Sequence, residues 1–364
     1  MNLIKPTATP QFILLLFLLL FSFGSLYGQA WKDETFKTDI RAYGYSVDGE
    51  VFATAVQPDG KILAGGNFKF VNGEPINRLV RYNQDGSVDK TFDIGTGMDN
   101  TVESIVVQPD GFILVTGNFN TVNGKSCKGF VRLTPWGSID SNFNIGNTIR
   151  GVYSIELQPD GKILVGGALT IDTRNITGII RINANGTPDL SFLTETSSGI
   201  SYIKTGSDGK IAIAGNFTSV AGVARRFIAK LNPDGTVDES FEPAPNKIDN
   251  VNSMALQNES SMMIATTRST FADGIVGKVY RFEPTGNLDT NFASELKIND
   301  RVEAVAVQSD GKILIGGLFS QVDGIDYHGV ARLYADGTLD HTFDQSENIP
   351  KRLVKVITLQ QDGK

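Results

Sequence analysis

Apolar and polar positions follow one another in short runs along most of the chain, and turn residues separate the runs. In one stretch the runs read TVESIVVQ, FILVTGNFNTV, GFVRLT and SIDSNF. Short runs that are rich in Val, Ile, Leu and Phe and bounded by Gly, Asn, Asp or Pro are typical of β-strands. No stretch after Ala30 has the sustained periodicity of an amphipathic helix. The pattern therefore predicts an all-β protein.

Two glycine positions recur along the chain with a period of about 50 residues. The first follows Gln-Pro-Asp or a related sequence, at Gly60, Gly111, Gly161, Gly209, Gly311 and Gly363. The second recurs at Gly86, Gly137, Gly186, Gly235, Gly286 and Gly337. In the fifth copy Ser260 replaces the first glycine, and every copy closes with an Asp and a Phe three residues apart, such as Asp140 and Phe143. We count six complete copies.

Three tight turns divide each copy into four strands. In Pro58-Asp59-Gly60, Pro favours the first central position of a type I turn and Gly supplies the left-handed residue that follows. The middle turn carries Asn-Gly or Asp-Gly, as at Asn123-Gly124, which is the strongest short-range signal for a β-hairpin. Each copy is therefore predicted to be an antiparallel meander of four strands.

A four-stranded meander that repeats without helices predicts a β-propeller of four-stranded antiparallel blades. A β-solenoid is the alternative, although its coils are typically shorter, about 20 to 30 residues. The segment 31–36 resembles a fourth strand and the segment 353–364 a first strand. We therefore expect six complete repeats plus a partial seventh that lacks its second and third strands. That count predicts a fragment of a longer protein; a closed six-bladed ring with two spare strands is the alternative.

The segments QPDGKILAGGNF and RLVRYNQDGSVDKTF, together with their copies, resemble the delta-60 repeat family of exported bacterial proteins. The resemblance covers essentially everything after Trp31. It implies export and a propeller fold, and it implies no known reaction. The fifth copy departs from the family pattern at Ser260, Ala265 and Thr266. The double glycine, as in Gly65-Gly66, is also similar to kelch propellers, but the Tyr and Trp spacing of kelch repeats is missing.

The first thirty residues have the pattern of a secretory signal peptide. Lys5 precedes the apolar run 12–23, and the small residues Gly28 and Ala30 follow it. The run is shorter than the about 20 residues of a transmembrane helix. We therefore predict a signal peptide over 1–30, a β-propeller domain over 31–364, and no transmembrane segment in the mature chain. The mature protein is expected to be exported to the periplasm, the cell surface or the extracellular space.

Composition narrows the function classes further. The formal net charge of −7 argues against nucleic-acid binding, because neutralising phosphates requires a basic face. Cys127 is the only cysteine, so no internal disulfide can form. The 40% of hydrophobic residues suffices for a sizeable core. We expect a monomer.

A cation lies eight residues before the closing Asp of each copy. The pairs are Arg81/Asp89, Arg132/Asp140, Arg181/Asp189, Lys230/Asp238, Arg281/Asp289 and Arg332/Asp340. A catalytic centre normally exists once, so residues that recur in every copy are interpreted as scaffold. A three-residue turn would place each pair opposite one another across a hairpin, where opposite charges contribute roughly 0.2 to 1 kcal/mol. A ring of cations that binds anions is the alternative.

No complete metal or catalytic motif is found. Asn83, Asp85, Gly86 and Asp89 resemble the middle of a calcium loop, but the leading Asp and the closing Glu of such a loop are missing. His328 and His341 should lie about 10 Å apart, which is too far for one metal ion. We predict no metal, no cofactor and no catalytic residue.

The copies differ most in the loop between their second and third strands. These loops should gather on one face of a propeller, where loops on a rigid scaffold commonly build a binding site. The candidate binding residues in them are Arg78, Lys128, Arg174, Arg226 and His328. Ordinary variation in solvated turns is the alternative reading.

The sequence favours a binding scaffold for a protein or glycan partner. One alternative is an extracellular enzyme that acts on polysaccharide, with carboxylates such as Asp172 and Glu303 near the ring face. A purely structural module of a larger surface protein is the other alternative. Two carboxylates facing inward, about 5 to 10 Å apart, would favour the enzyme.

Overall fold

The fold is seen in a computed structural model. It describes residues 49–143, 145, 149–171, 174–243, 248, 250–257, 262–266, 277–327, 329–343 and 353–360. The predicted signal peptide 1–30, the segment 31–36 and His328 lie outside these residues. In the part of the chain that is described, no helix has the length and apolar character needed to cross a bilayer.

Six antiparallel sheets follow one another along the chain, and each is one blade. Blade 1 comprises β1 (Val51–Val56), β2 (Ile62–Gly66), β3 (Phe70–Val71), β4 (Glu74–Pro75) and β5 (Leu79–Tyr82). Blade 2 comprises β6 (Val102–Val107), β7 (Ile113–Gly117), β8 (Thr121–Val122), β9 (Lys125–Ser126) and β10 (Phe130–Leu133). Blade 3 comprises β11 (Ile149–Leu157), β12 (Ile163–Ile171), β13 (Arg174–Ile182) and β14 (Pro188–Glu195).

The next three blades repeat this order. Blade 4 comprises β15 (Ile200–Thr205), β16 (Ile211–Gly215), β17 (Ser219–Val220), β18 (Val223–Ala224) and β19 (Ile228–Leu231). Blade 5 comprises β20 (Ser253–Leu256), β21 (Met262–Thr266) and β22 (Lys278–Phe282). Blade 6 comprises β23 (Val302–Val307), β24 (Ile313–Gly317), β25 (Gln321–Val322), β26 (Ile325–Asp326) and β27 (Val330–Leu333). The predicted all-β propeller of repeated antiparallel blades is confirmed.

The fourth strand of most blades is shorter than the sequence predicted. In blade 2 it is a single bridge between Leu133 and Ile139, and only blade 3, among the described residues, pairs a full fourth strand, β14, with β13. The closing Asp140 turns the chain after this bridge: its side chain accepts a hydrogen bond from Asn142 N at 2.9 Å, and its carbonyl accepts one from Phe143 N at 3.4 Å. Asp189 of blade 3 accepts the equivalent side-chain bond from Ser191 N at 3.1 Å, but a bulge there lets pairing resume.

The second predicted strand of blade 2 is also divided. β7 ends at Gly117, and a separate hairpin of β8 and β9 follows around Asn123 and Gly124. Both turn residues have positive φ, 47° and 72°, as a type I′ turn requires. The Asn-Gly signal therefore marks a small hairpin that projects from the end of the blade.

The double glycine allows neighbouring backbones and blades to approach. A Cβ on Gly65 would lie 2.4 Å from Val102 Cγ1 of the next blade, and one on Gly66 would lie 1.9 Å from the carbonyl oxygen of Glu50. The interior is packed between consecutive blades, and Leu63 of blade 1 lies in one cluster with Val102 of blade 2. Each blade thus buries its face against the next one.

The C-terminal segment 353–360 lies between blade 6 and blade 1 as the inner strand of a seventh blade. On one side, Val354 N donates to Gly317 O at 3.0 Å, and the Val354 side chain packs with Leu314 of blade 6. On the other side, the hydroxyls of Thr358 and Thr54 are hydrogen bonded. The C-terminal part of the predicted seventh blade therefore lies at the ring closure, whereas its other predicted part, 31–36, lies outside the described residues.

Candidate functional site

An ion pair that recurs in the blades belongs to the scaffold. The described arginines lie on their Asp partners with Nε to Oδ2 distances between 2.8 and 2.9 Å, in the pairs Arg81/Asp89, Arg132/Asp140, Arg181/Asp189, Arg281/Asp289 and Arg332/Asp340. The backbone supports the register, because Asp140 N donates to Arg132 O at 2.9 Å. The structure thus brings these sequence-selected residues together within each blade.

Each arginine also joins its blade to the next and packs on the closing Phe. Arg132 Nη1 donates to Ala184 O of blade 3 at 2.9 Å, and Arg81 Nη1 donates to Pro135 O of blade 2. The Arg132 guanidinium lies 4.5 Å from the centroid of the Phe143 ring. The spacing of Arg, Asp and Phe is therefore explained by one structural unit.

Sequence reasoning missed a second cation at this pair. The lysine that follows the first turn glycine contacts the same Asp, in the pairs Lys61/Asp89, Lys162/Asp189, Lys210/Asp238 and Lys312/Asp340, at 2.6 to 3.1 Å. Its recurrence in four copies was the available signal. The pKa of Asp89 lies well below its usual range: burial acts to raise it, but hydrogen bonds from Thr91 and Lys61 outweigh that effect.

Blade 4 uses its lysines differently. Lys230 stands where the other blades have arginine, and its ammonium lies 5.1 Å from the centroid of the Phe241 ring. Asp238 accepts a hydrogen bond from Lys210 at 2.6 Å. The turn lysine therefore contacts the closing Asp in this blade, as it does in blades 1, 3 and 6.

The candidate cations of the loops lie in separate blades. Arg78 is half-buried and donates to the carbonyl of Asn67, whereas Arg174 is exposed and pairs with Glu195 at 2.9 Å. Lys128 is half-buried with a positive φ of 44°, and the exposed Arg226 lies 4.9 Å from the centroid of the Phe227 ring. Arg78 and Arg174 are thus each engaged by their own blade.

The candidate metal and thiol residues have other local roles. The carboxylate of Asp85 accepts hydrogen bonds from the backbone and hydroxyl of Ser87 at 2.9 and 2.6 Å, which closes a turn. Burial raises the pKa of the half-buried Cys127 thiol, so the reactive thiolate is disfavoured. Within the described ranges, no group of three or more His, Cys, Asp or Glu is placed to hold a metal ion.

A different set of residues lies at one level of the inner strands. Each first strand of a blade, or the segment that leads into it, carries a buried Val or Ile at the same repeat position: Val51, Val102, Val152, Ile200, Val251, Val302 and Val354. The residue that follows varies between the blades, with Glu at two of the seven positions, and we call these seven residues the axial layer: Phe52, Glu103, Tyr153, Ser201, Asn252, Glu303 and Lys355. All seven are half-buried or exposed. The repeat therefore combines a buried apolar position with a variable position that solvent can reach.

Electrostatic contacts show that the axial layer converges across the ring. Lys355, in the seventh blade, lies with its ammonium 4.7 Å from the centroid of the Phe52 ring and 3.1 Å from Glu50 Oε1, both in blade 1. Its charge also acts on Glu103 in blade 2 and on Glu303 in blade 6. An interaction that reaches past blade 1 to blade 2 requires side chains directed toward the axis. These residues therefore surround the mouth of the central channel.

Two carboxylates in this layer have perturbed acidity. Burial raises the pKa of Glu103, while the charge of Lys355 and a hydrogen bond from Asn118 at 3.1 Å act in the opposite direction. Burial likewise raises the pKa of Glu303, against the charges of Arg301 and Lys355. Such carboxyl groups can accept hydrogen bonds or hold a proton closer to neutral pH than an exposed carboxyl does.

Tyr202 extends the layer on the side of blade 4. Its hydroxyl donates to the carbonyl of Asn252. Burial raises the pKa of Tyr202 to about 12, and the charge of Glu303 in blade 6 adds to the shift. The tyrosine therefore remains a neutral donor at the edge of the channel at physiological pH.

The axial layer shares one end of the blades with the hairpins. Asn118 follows β7 directly, donates through its backbone to Thr101 O at 2.9 Å, and bonds Glu103 through its side chain. Leu318 N makes the matching bond to Arg301 O at 3.0 Å in blade 6. The loops between second and third strands therefore leave the blades beside the channel mouth. Sequence reasoning named Glu303 of this layer; aligning the position after the conserved apolar residue of each copy would have found the rest.

Comparison with known proteins supports the propeller assignment. Five segments of the chain match a family model described as a domain of unknown function (DUF5122) beta-propeller: residues 57–92, 108–143, 158–192, 206–241 and 308–343. No curated protein matches the sequence.

Solved structures with a similar fold include three proteins. The WD40 beta propeller domain of Doa1 is 14% identical with a TM-score of 0.52, covering 87% of this chain and 89% of that chain. Streptogramin B lyase is 17% identical with a TM-score of 0.55, covering 87% and 89%.

The extracellular domain of the putative hybrid two component system BT4673 from B. thetaiotaomicron is 16% identical with a TM-score of 0.56. The match covers 88% of this chain and 36% of that chain. At these identities the likeness concerns the fold alone. Together with the five matched segments, it shows a β-propeller fold whose repeats are similar to that family model.

Proposed function

We propose that the protein is an exported β-propeller binding scaffold that holds a protein or glycan partner at the mouth of its central channel. The observation that carries the proposal is the axial layer. A scaffold of repeated blades presents one position that carries six residue types among its seven copies, and all of these side chains are accessible to solvent. A rigid frame that carries a variable polar surface is a common basis for recognition.

The energetics of the two parts differ in the way that this role requires. The position before the axial layer is buried and apolar in every blade, so its side chain stabilises the contact with the neighbouring blade. The axial layer itself combines carboxylates, a cation, an amide, a hydroxyl and two aromatic rings, and none of these is needed to fill the core. Such residues can therefore differ between blades without opening a cavity in the core.

Export is supported by the sequence at the N-terminus. The segment 1–30 has the pattern of a signal peptide, and the repeats resemble the delta-60 repeats of exported bacterial proteins. The absence of a second cysteine means that an oxidising compartment imposes no disulfide on this fold.

An enzyme acting on polysaccharide is the second candidate. Glu103 and Glu303 both have a raised pKa and both face the channel, and a carboxylic acid with a raised pKa is suited to general acid catalysis. The binding scaffold is preferred because Lys355 interacts with both carboxylates and Arg301 lies 3.3 Å from Glu303. These cations stabilise the ionised form that a general acid must avoid.

The proposal is tested by binding measurements on the mature protein. A panel of neutral oligosaccharides, acidic oligosaccharides and peptides is titrated into wild type, Tyr153→Ala and Trp136→Ala. Trp136 is the matched control, because its ring is 64% exposed in the third turn of blade 2, at the opposite end of the blade. We expect at least one class to bind the wild type and the control alike and to lose affinity for Tyr153→Ala. Binding that Tyr153→Ala leaves unchanged would contradict the proposed binding site at the channel mouth.

A further inference from the structure

We infer that the axial layer binds the end of a neutral saccharide chain, with sugar hydroxyls on its polar groups and a sugar ring on Tyr153. This inference rests on the proposed function and names the class of ligand that binds at the same site. It differs from the sequence-based expectation of an acidic partner on the loop cations.

The charge at the channel mouth favours a neutral ligand. The carboxylates there are Glu50, Glu103, Asp300 and Glu303, against the two cations Arg301 and Lys355, which leaves two excess negative charges. An anionic ligand would face these carboxylates, and the charge repulsion would oppose its binding. A cation would have to displace the Lys355 ammonium, which already lies 3.1 Å from Glu50 Oε1.

Hydrogen-bonding capacity at the layer matches sugar hydroxyls, which both donate and accept. Glu103 accepts a hydrogen bond from Asn118, whereas an ionised carboxylate offers about four lone-pair sites. Ser201 adds a hydroxyl, which both donates and accepts, and the Lys355 ammonium is a donor. The Asn252 amide is already engaged, because its Nδ2 donates to Val302 O and its Oδ1 accepts from Asn250 Nδ2, both at 3.0 Å. The layer therefore offers both donors and acceptors to a ligand whose surface carries hydroxyls.

Tyr153 provides the apolar part of the proposed binding site. Tyr153 is 44% exposed, and its Cε2 atom lies 3.3 Å from the position that a Cβ on Gly199 would occupy. The glycine at the entrance to blade 4 therefore lets the tyrosine ring lie close over the backbone. Tyr153 holds the axial-layer position in the blade next to that of Glu103, and its exposed ring offers a flat apolar surface to the C–H face of a sugar ring while polar groups of the layer contact the sugar hydroxyls.

Isothermal titration calorimetry on the mature protein tests the inference. The probes are cellohexaose, maltohexaose, xylohexaose, mannohexaose and chitohexaose, with a pectic oligogalacturonate as the acidic probe and a tryptic peptide mixture as the protein probe. We expect one neutral hexasaccharide to bind, and Tyr153→Ala and Glu103→Gln each to lower its affinity at least tenfold. Trp136→Ala should leave the affinity within twofold of the wild type. Circular dichroism melting curves establish that each variant is folded.

The outcomes separate the two claims. If no neutral hexasaccharide binds, or if Tyr153→Ala and Glu103→Gln leave its affinity unchanged, the saccharide inference is overturned. If the acidic probe or the peptides bind and that binding depends on Tyr153, the binding site at the channel mouth is supported but the inferred ligand class is wrong. If chromatography shows that the hexasaccharide is cleaved during the titration, the binding site at the channel mouth is supported and is assigned to the enzyme alternative.

Discussion

The ion pair of Arg132 and Asp140 should be the most sensitive of the repeated pairs. The side chains are 12% and 5% exposed, and Arg132 Nη2 lies 2.7 Å from Asp140 Oδ2. In blade 2 Phe112 stands where four other blades have the turn lysine, so Arg132 is the one cation paired with Asp140 among the described residues. Removing one partner of a buried pair leaves an uncompensated charge and costs about 3–5 kcal/mol. Arg132→Met should therefore lower the free energy of unfolding by about that amount.

Arg181→Met is the matched control for this substitution. Arg181 makes the same ion pair with Asp189 at 2.8 Å, the same type of bond to the next blade through Pro233 O, and the same stacking on the closing Phe. Lys162, however, also contacts Asp189 at 3.0 Å and remains when the arginine is removed. The loss for Arg181→Met should therefore be smaller than that for Arg132→Met by about 1–2 kcal/mol.

Urea unfolding followed by circular dichroism gives both losses, and the double variant Arg132→Met with Asp140→Asn gives the coupling energy. We expect a coupling of about 2 kcal/mol or more for this pair, because both partners are nearly buried. The exposed pair Arg174 and Glu195, 66% and 58% exposed, should couple by less than about 1 kcal/mol. Equal losses for the two arginine variants, or strictly additive effects at Asp140, would refute this reasoning.

Three further predictions follow from the packing and charges. The pKa of Asp340 lies below its usual range, because hydrogen bonds outweigh burial. The ionised carboxylate therefore stabilises the fold above about pH 4, and this stabilisation is lost as the pH falls. The urea midpoint of Asp340→Asn should therefore fall less between pH 5 and 3 than that of the wild type. Gly117→Ala would place a Cβ 2.0 Å from a backbone oxygen and should cost about 3 kcal/mol, whereas Gly124→Ala, with a positive φ and open space, should cost about 1 kcal/mol by the same melts. Lys355→Met removes the partner of Glu50 and should increase hydrogen exchange in the C-terminal inner strand.

Much of the fold was predictable because local chemistry and tertiary structure agree. Gly60 and Gly124 adopt the positive φ that their turns require, at 78° and 72°, and the turn positions fix where strands begin. The inner strand at 353–360 was recognisable because it repeats the pattern of the other first strands. The short fourth strand was not, because Asp140 competes for the backbone through a side-chain bond that strand propensity ignores.

The candidate site was harder to predict because its residues come together only when the ring closes. Glu103 and Lys355 are separated by most of the chain, and their interaction depends on blade 7 lying beside blade 1. Glu303 was selected as a carboxylate near the ring face, but its neighbours were not. The sequence drew attention to loop cations such as Arg174, since charge in a variable loop is visible without a fold.

The most direct test of the central claim is a crystal structure of the mature protein with the neutral hexasaccharide that binds it. The account predicts that a sugar ring lies on Tyr153, with hydroxyls within hydrogen-bond distance of Glu103 and of at least one other residue of the axial layer. A saccharide found on the hairpins or the outer strands, with the channel mouth free of it, would contradict the account.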